Sequence, residues 1–183
     1  MSCIPRAWDC FLPSTDRHRD MTQTDLSAIR ILVVEDNVLQ RRILIRILQA
    51  ANAKEIRQAA DGGEALAILE AFLPDVILTN RQLQPVDGIT FARRTRASEQ
   101  RPFQTVPIIM LSLSDEPNLQ QTARNAGINA FLLKPVSPDT LCQCILQLTR
   151  NPVPFVRSTD YIGPDRRFAD VPFSGPDRRR TSL

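Results

Sequence analysis

Between residues 29 and 149, short β-rich runs alternate five times with segments of helical period, and this alternation constrains the fold more than any other feature. The runs are IRILVVE (29–35), EIRQA (55–59), DVILTN (75–80), VPIIMLS (106–112) and NAFLLK (129–134). Each is followed by a segment with apolar residues at helical spacing, from VLQRRILIRILQA (38–50) to SPDTLCQCILQL (137–148). Runs such as ILVV and VIL are apolar on both faces, as a parallel sheet covered by helices on both sides requires. Gly127 ends one helix, and Ser137-Pro138 opens the last with a cap and a preset φ. Right-handed crossovers leave few topologies, and an α/β doubly wound five-stranded parallel sheet is the economical one.

The chain has 183 residues, 43% of them hydrophobic, enough for one good core and too few for two full domains. Residues 29–150 form the expected domain. Residues 1–28 mix Pro, Asp, Arg and Ser without periodicity and read as a disordered leader, with Met21 resembling a natural start. Residues 151–183 read as a disordered Arg- and Pro-rich tail. That tail repeats itself: GPDRR at 163–167 returns at 175–179, each copy preceded by an aromatic, Tyr161 or Phe173. The motif residues are Asp165, Arg166 and Arg167, then Asp177, Arg178 and Arg179.

The net charge of +3 comes from the tail, where residues 150–183 carry seven arginines against four aspartates. The nearly neutral remainder argues against a nucleic-acid-binding core. No apolar run approaches the roughly 18 residues of a membrane span, and the N-terminus lacks the apolar stretch of a secretory signal. The four cysteines show no zinc-like spacing, so reduced thiols in a cytoplasmic protein are expected. The single histidine, His18, lies in the polar leader and reads as a solvated side chain.

In a doubly wound sheet, ligands gather outside the carboxyl ends of the strands. Strand one ends in Glu35-Asp36, strand three in Asn80, strand four in Ser112 and strand five in Lys134-Pro135. Each has an ordinary reading: the acids as a solvated turn or helix cap, Asn80 as a turn former, Ser112 as a satisfied strand-end hydroxyl, Lys134 as an exposed loop lysine. Together, two carboxylates, an amide, a hydroxyl and an ammonium on one edge make a site.

Residues 29–149 resemble the receiver domain of two-component response regulators, a CheY-like, flavodoxin-like (βα)5 fold with strand order 2-1-3-4-5. The resemblance implies that Glu35, Asp36 and the backbone carbonyl of Gln82 hold a Mg²⁺ ion. It makes Ser112 and Phe131 the switch positions, Lys134 the phosphoryl-contacting lysine, and Pro135 the proline often linked to it in cis. Asp87-Gly88 matches the Asp-Gly after the acceptor loop. The departure is Asn80, which stands where such domains have the aspartate that accepts a phosphoryl group. Asp75 begins its strand at the far end of the sheet and Asp87 lies in the following loop, so Asn80 is the residue presented.

A carboxamide is neutral and weakly nucleophilic and forms no acyl phosphate, so phosphorylation at residue 80 is expected to be lost. Removing the third carboxylate is expected to weaken Mg²⁺ binding without abolishing it. Leu113, Arg81 and Gln82 also depart from residues usual at their positions. The reading is a single-domain regulator without an output domain, atypical, not an enzyme. It would act by protein–protein interaction with a histidine kinase, another receiver-binding signalling protein or an output protein. The resemblance implies contact through the face made by the fourth helix, fifth strand and fifth helix. The alternative is binding of nucleic acid or another acidic surface by the Arg-rich tail, with Tyr161, Phe168 and Phe173 as stacking groups. The aspartate before each arginine pair lowers the local potential and disfavours it. No Gly-rich phosphate loop, nucleophile elbow or histidine in the folded part supports an enzyme.

Overall fold

The computed structural model describes residues 24–158 and 161–165. Five strands, β1 (Arg30–Val34), β2 (Glu55–Ala59), β3 (Val76–Asn80), β4 (Ile108–Ser112) and β5 (Ala130–Leu133), form one parallel sheet in the order β2-β1-β3-β4-β5. The connecting helices are α1 (Val38–Ala50), α2 (Gly62–Phe72), α3 (Gly88–Ala97), a short α4 (Arg101–Thr105), α5 (Pro117–Asn125) and α6 (Pro138–Arg150). The doubly wound, flavodoxin-like expectation holds.

The alternation of side chains along each strand explains the two layers. Leu32, Val34, Ile77, Ile108, Met110 and Phe131 face α2, α3 and α5, meeting Leu69, Phe91 and Leu119. The intervening Ile31, Val33, Leu78, Ile109 and Leu132 face α1 and α6, meeting Leu44, Leu48, Leu141 and Ile145. Helix starts follow the local chemistry. Asn37, Asp61, Asp87 and Ser137 each cap a helix with a side-chain oxygen on the backbone N–H groups of its first turn. Gly127, at φ +79°, follows α5 and leads into β5.

Two boundaries differ from the sequence reading. The ordered chain begins before residue 29: Leu26 is fully buried in the α1–α6 layer, and its N–H donates to the Ala51 carbonyl. Asp25 accepts from Ser27 and Asn52, which fastens the same turn. The expected disorder from residue 151 also fails at its start. Strands β6 (Phe155–Arg157) and β7 (Ile162–Pro164) pair as an antiparallel hairpin that lies against α3 and α4. Its anchor is nonlocal, which is why no local pattern announced it. The leader 1–23 and the repeat residues Arg166, Arg167, Asp177, Arg178 and Arg179 lie outside the described residues.

Candidate functional site

The carboxyl ends of β1, β3 and β5 deliver Glu35, Asp36, Asn80 and Lys134 to one pocket. Glu35 is fully buried and Lys134 nearly so, and their ion pair spans 2.8 Å. Burial pushes the Glu35 carboxyl above its ordinary value, while Lys134 pulls it back. The Lys134 ammonium also donates to the Gln40 side-chain carbonyl, and to Asn80 Oδ1 at 3.2 Å. All three ammonium hydrogens thus have acceptors.

Asn80 is held at both ends of its amide. Its Nδ2 donates to Glu35 Oε1 at 3.0 Å and to the Gln82 carbonyl at 2.8 Å, with Asp36 Oδ1 at 3.4 Å. The reverse orientation would turn the NH₂ toward the ammonium and the amide oxygen toward three other oxygens, so charge fixes the one seen. Gly88 fits against the same strand end: a Cβ there would lie 2.2 Å from the Asn80 carbonyl oxygen. That close approach is the physical reason for glycine after Asp87.

Neither nearby aspartate enters the niche. Asp75 pairs with Arg30 at the amino end of the sheet, N to O 2.9 Å. Asp87 caps α3, where hydrogen bonds from Thr90 and Ile89 outweigh partial burial and hold its carboxyl below the usual range. Ser112 is buried, but its hydroxyl is engaged with Ser114, donating to that residue's carbonyl and accepting from its N–H. Phe131 is packed in the core beneath α3 and α5. Lys134–Pro135 is a cis peptide, as is Gln84–Pro85. Gln40 was not singled out from the sequence. Its signal is position, since the first turn of α1 overhangs the end of β1.

The oxygens that the resemblance assigns to Mg²⁺ are Glu35 Oε1, Asp36 Oδ1 and the Gln82 carbonyl, and all three converge on the Asn80 amide nitrogen. A Mg²⁺ ion requires oxygen ligands at about 2.0–2.1 Å in near-octahedral array. As arranged, the space holds a hydrogen-bond donor instead, and the donor set does not fit the cation. Among the described residues no cluster of three or more His, Cys, Asp or Glu side chains is arranged to hold a metal.

The response regulator receiver domain model matches residues 31–146, well over half of the chain. The chain belongs to the response regulator receiver family. It therefore takes part in two-component signalling. Curated relatives include protein-glutamate methylesterase/protein-glutamine glutaminase 3 of Anaeromyxobacter dehalogenans, 40% identical over 60% of this chain and 32% of the relative. Another is the transcriptional regulatory protein PdtaR of Mycobacterium tuberculosis, 32% identical over 63% of this chain and 54% of the relative. The chain thus spans about a third to a half of the first curated relatives it matches. Among solved structures, Vibrio cholerae CheY4 covers 65% of this chain and 97% of its own at 30% identity, TM-score 0.61. The receiver domain of sensor histidine kinase PA1611 from Pseudomonas aeruginosa, with magnesium in its active-site cleft, covers 67% and 98% at 28% identity, TM-score 0.61.

Proposed function

We propose that this receiver signals without aspartyl phosphorylation, through protein–protein contact alone. One observation carries the reading: the group presented at the acceptor position is the Asn80 carboxamide, fully hydrogen-bonded to Glu35, Gln82 and Lys134. Phosphoryl transfer needs an anionic oxygen with charge neutralised as it develops. Here the oxygen is neutral, and the lysine that would receive the phosphoryl charge is already committed to Glu35. Mg²⁺ binding is weakened for the same reason, and no catalytic role is assigned to the chain.

The docking face is the one built by α5, β5 and α6; the extra short α4 shifts the helix numbers by one. Leu133, at the end of β5, stays 45% exposed, and Leu113 after β4 is more exposed still, so apolar contact area is present beside the pocket. The partner class is a histidine kinase or an output protein that also reads phosphorylatable receivers, with which this chain competes. Nucleic-acid binding by the tail is the weaker reading, because Gly163, Pro164 and Asp165 of the first repeat lie in the docked hairpin.

The test is intact-mass measurement after incubation with a small-molecule phosphodonor and Mg²⁺, with Asn80→Asp alongside. The wild-type chain is expected to stay unmodified and N80D to gain one phosphoryl group. A wild-type adduct mapped to residue 80 would refute the reading.

A further inference from the structure

The hairpin gives the tail repeat a structural meaning. In the first copy, the Tyr161 ring folds back over Gly163 and its hydroxyl donates to the Pro164 carbonyl at 3.0 Å. A Cβ on Gly163 would lie 2.4 Å from that hydroxyl and 2.9 Å from Gly127 Cα. A Cβ on Gly127 would in turn meet the Ile162 carbonyl at 2.7 Å. The two glycines press backbone on backbone, and Asp165 follows, buried, with its N–H on the Pro154 carbonyl. Beneath lies Arg96, buried, with the Phe155 ring 4.9 Å from its guanidinium carbon. The seat therefore requires glycine at its centre, and the first copy sets an aromatic two residues before that glycine and a proline and a buried aspartate after it.

Phe173 to Asp177 carries the same order twelve residues later. We propose that this second copy is an interchangeable occupant of the same seat, supplied by the same chain. One copy closes the hairpin over Arg96 while the other is presented to a partner. The first copy follows β6 across four residues, 158–161, whereas the second would enclose sixteen, 158–173. Loop closure scales with about the three-halves power of length, so this difference favours the first copy by only about eightfold. Phe173 lacks the hydroxyl that Tyr161 gives to Pro164, and Ser174 replaces Ile162, which widens the preference. The first copy is thus the occupant at rest, and the second takes the seat when the first is captured or removed.

The test uses the full chain carrying Gly163→Val, Gly175→Val, or both. The backbone amide signals of Gly127 and the Nε–H of Arg96, read by NMR, report the seat, and those of Leu78 and Ile109 report the sheet. G175V is expected to match the wild type. G163V is expected to keep the occupied-seat signals and melt about 3–5 °C below wild type, while the double variant loses those signals and melts at least about 2 °C lower again. Equal loss in G163V and the double variant, whether of seat signals or of the fold, overturns the proposal. So does a G163V seat that fills only with rising protein concentration and the mass of a dimer, which would make the occupant a second copy of the chain.

Discussion

Asn80 differs from an aspartate by one NH₂ in place of one oxygen, so shape is conserved while the charge is lost and half of the hydrogen-bond polarity inverts. With the amide in place, the Glu35–Lys134 pair has no third carboxylate to share its lysine. Its role is then structural, and its removal exposes what it balances. Lys134→Met leaves a fully buried carboxylate uncompensated, and a loss of about 3–5 kcal/mol is expected in urea melts at neutral pH. The pH dependence has a definite sign. Because the folded state raises the Glu35 pKa, it holds the proton more tightly than the unfolded chain does. The Glu35 contribution therefore falls as pH rises from the ordinary carboxylate value through the raised one. Without Lys134 the interval widens, so the K134M deficit should shrink steadily as pH is lowered toward 4. A deficit of constant size would show that Glu35 is not the group left exposed by the substitution.

At the scale of elements, what was legible is what local pattern determines. Five strands, their helices, the Ser137 cap and the turn at Gly127 all follow from period, capping and φ preference, and each is present. The convergence of Glu35, Asp36, Asn80 and Lys134 was legible too, since it follows from topology. Which way the amide points was not, because that depends on charges delivered by two other strands, β1 and β5. The hairpin and α4 were not legible either. RPFQT has little helical signal, and FVR and IGP are too short to read as strands. Both depend on Arg96, whose guanidinium donates to the carbonyls of Phe103, Gln104, Val106 and Gly127 and to the Asn129 side chain. Burial lowers its pKa to about 9, with Tyr161 opposing, so it remains charged at neutral pH. One planar cation ties the end of α3, α4, the starts of β4 and β5, and the hairpin. Lysine cannot replace it, having three donors on one point for five acceptors around a plane. Arg96→Lys is expected to lose about 2–4 kcal/mol, close to the loss for Arg96→Met, by chemical denaturation. A lysine variant within about 0.5 kcal/mol of wild type would mean that charge alone, without the fork, holds these segments.

For the molecule as a whole, the question is whether anything bound at the carboxyl edge changes its stability. A ligand that binds only the folded state stabilises it by RT ln(1 + [L]/Kd), about 2.7 kcal/mol at a hundredfold excess over Kd. On a chain of this size that is a rise in Tm of roughly 5–10 °C. In the wild-type chain the three candidate ligand oxygens already converge on the Asn80 amide, so a cation must break two good hydrogen bonds and gains no third carboxylate. Millimolar Mg²⁺ is therefore expected to move its melting by less than about 1 °C. Asn80→Asp reverses both conditions. Without metal it crowds three carboxylates around one ammonium and should melt below wild type; with Mg²⁺ it should regain the loss and exceed it. Melting curves of both proteins, with Mg²⁺ and with chelator, give four values that decide the matter. A wild-type rise as large as that of N80D would mean that the amide rotates aside at little cost. The pocket would then be a working metal site that merely lacks its nucleophile.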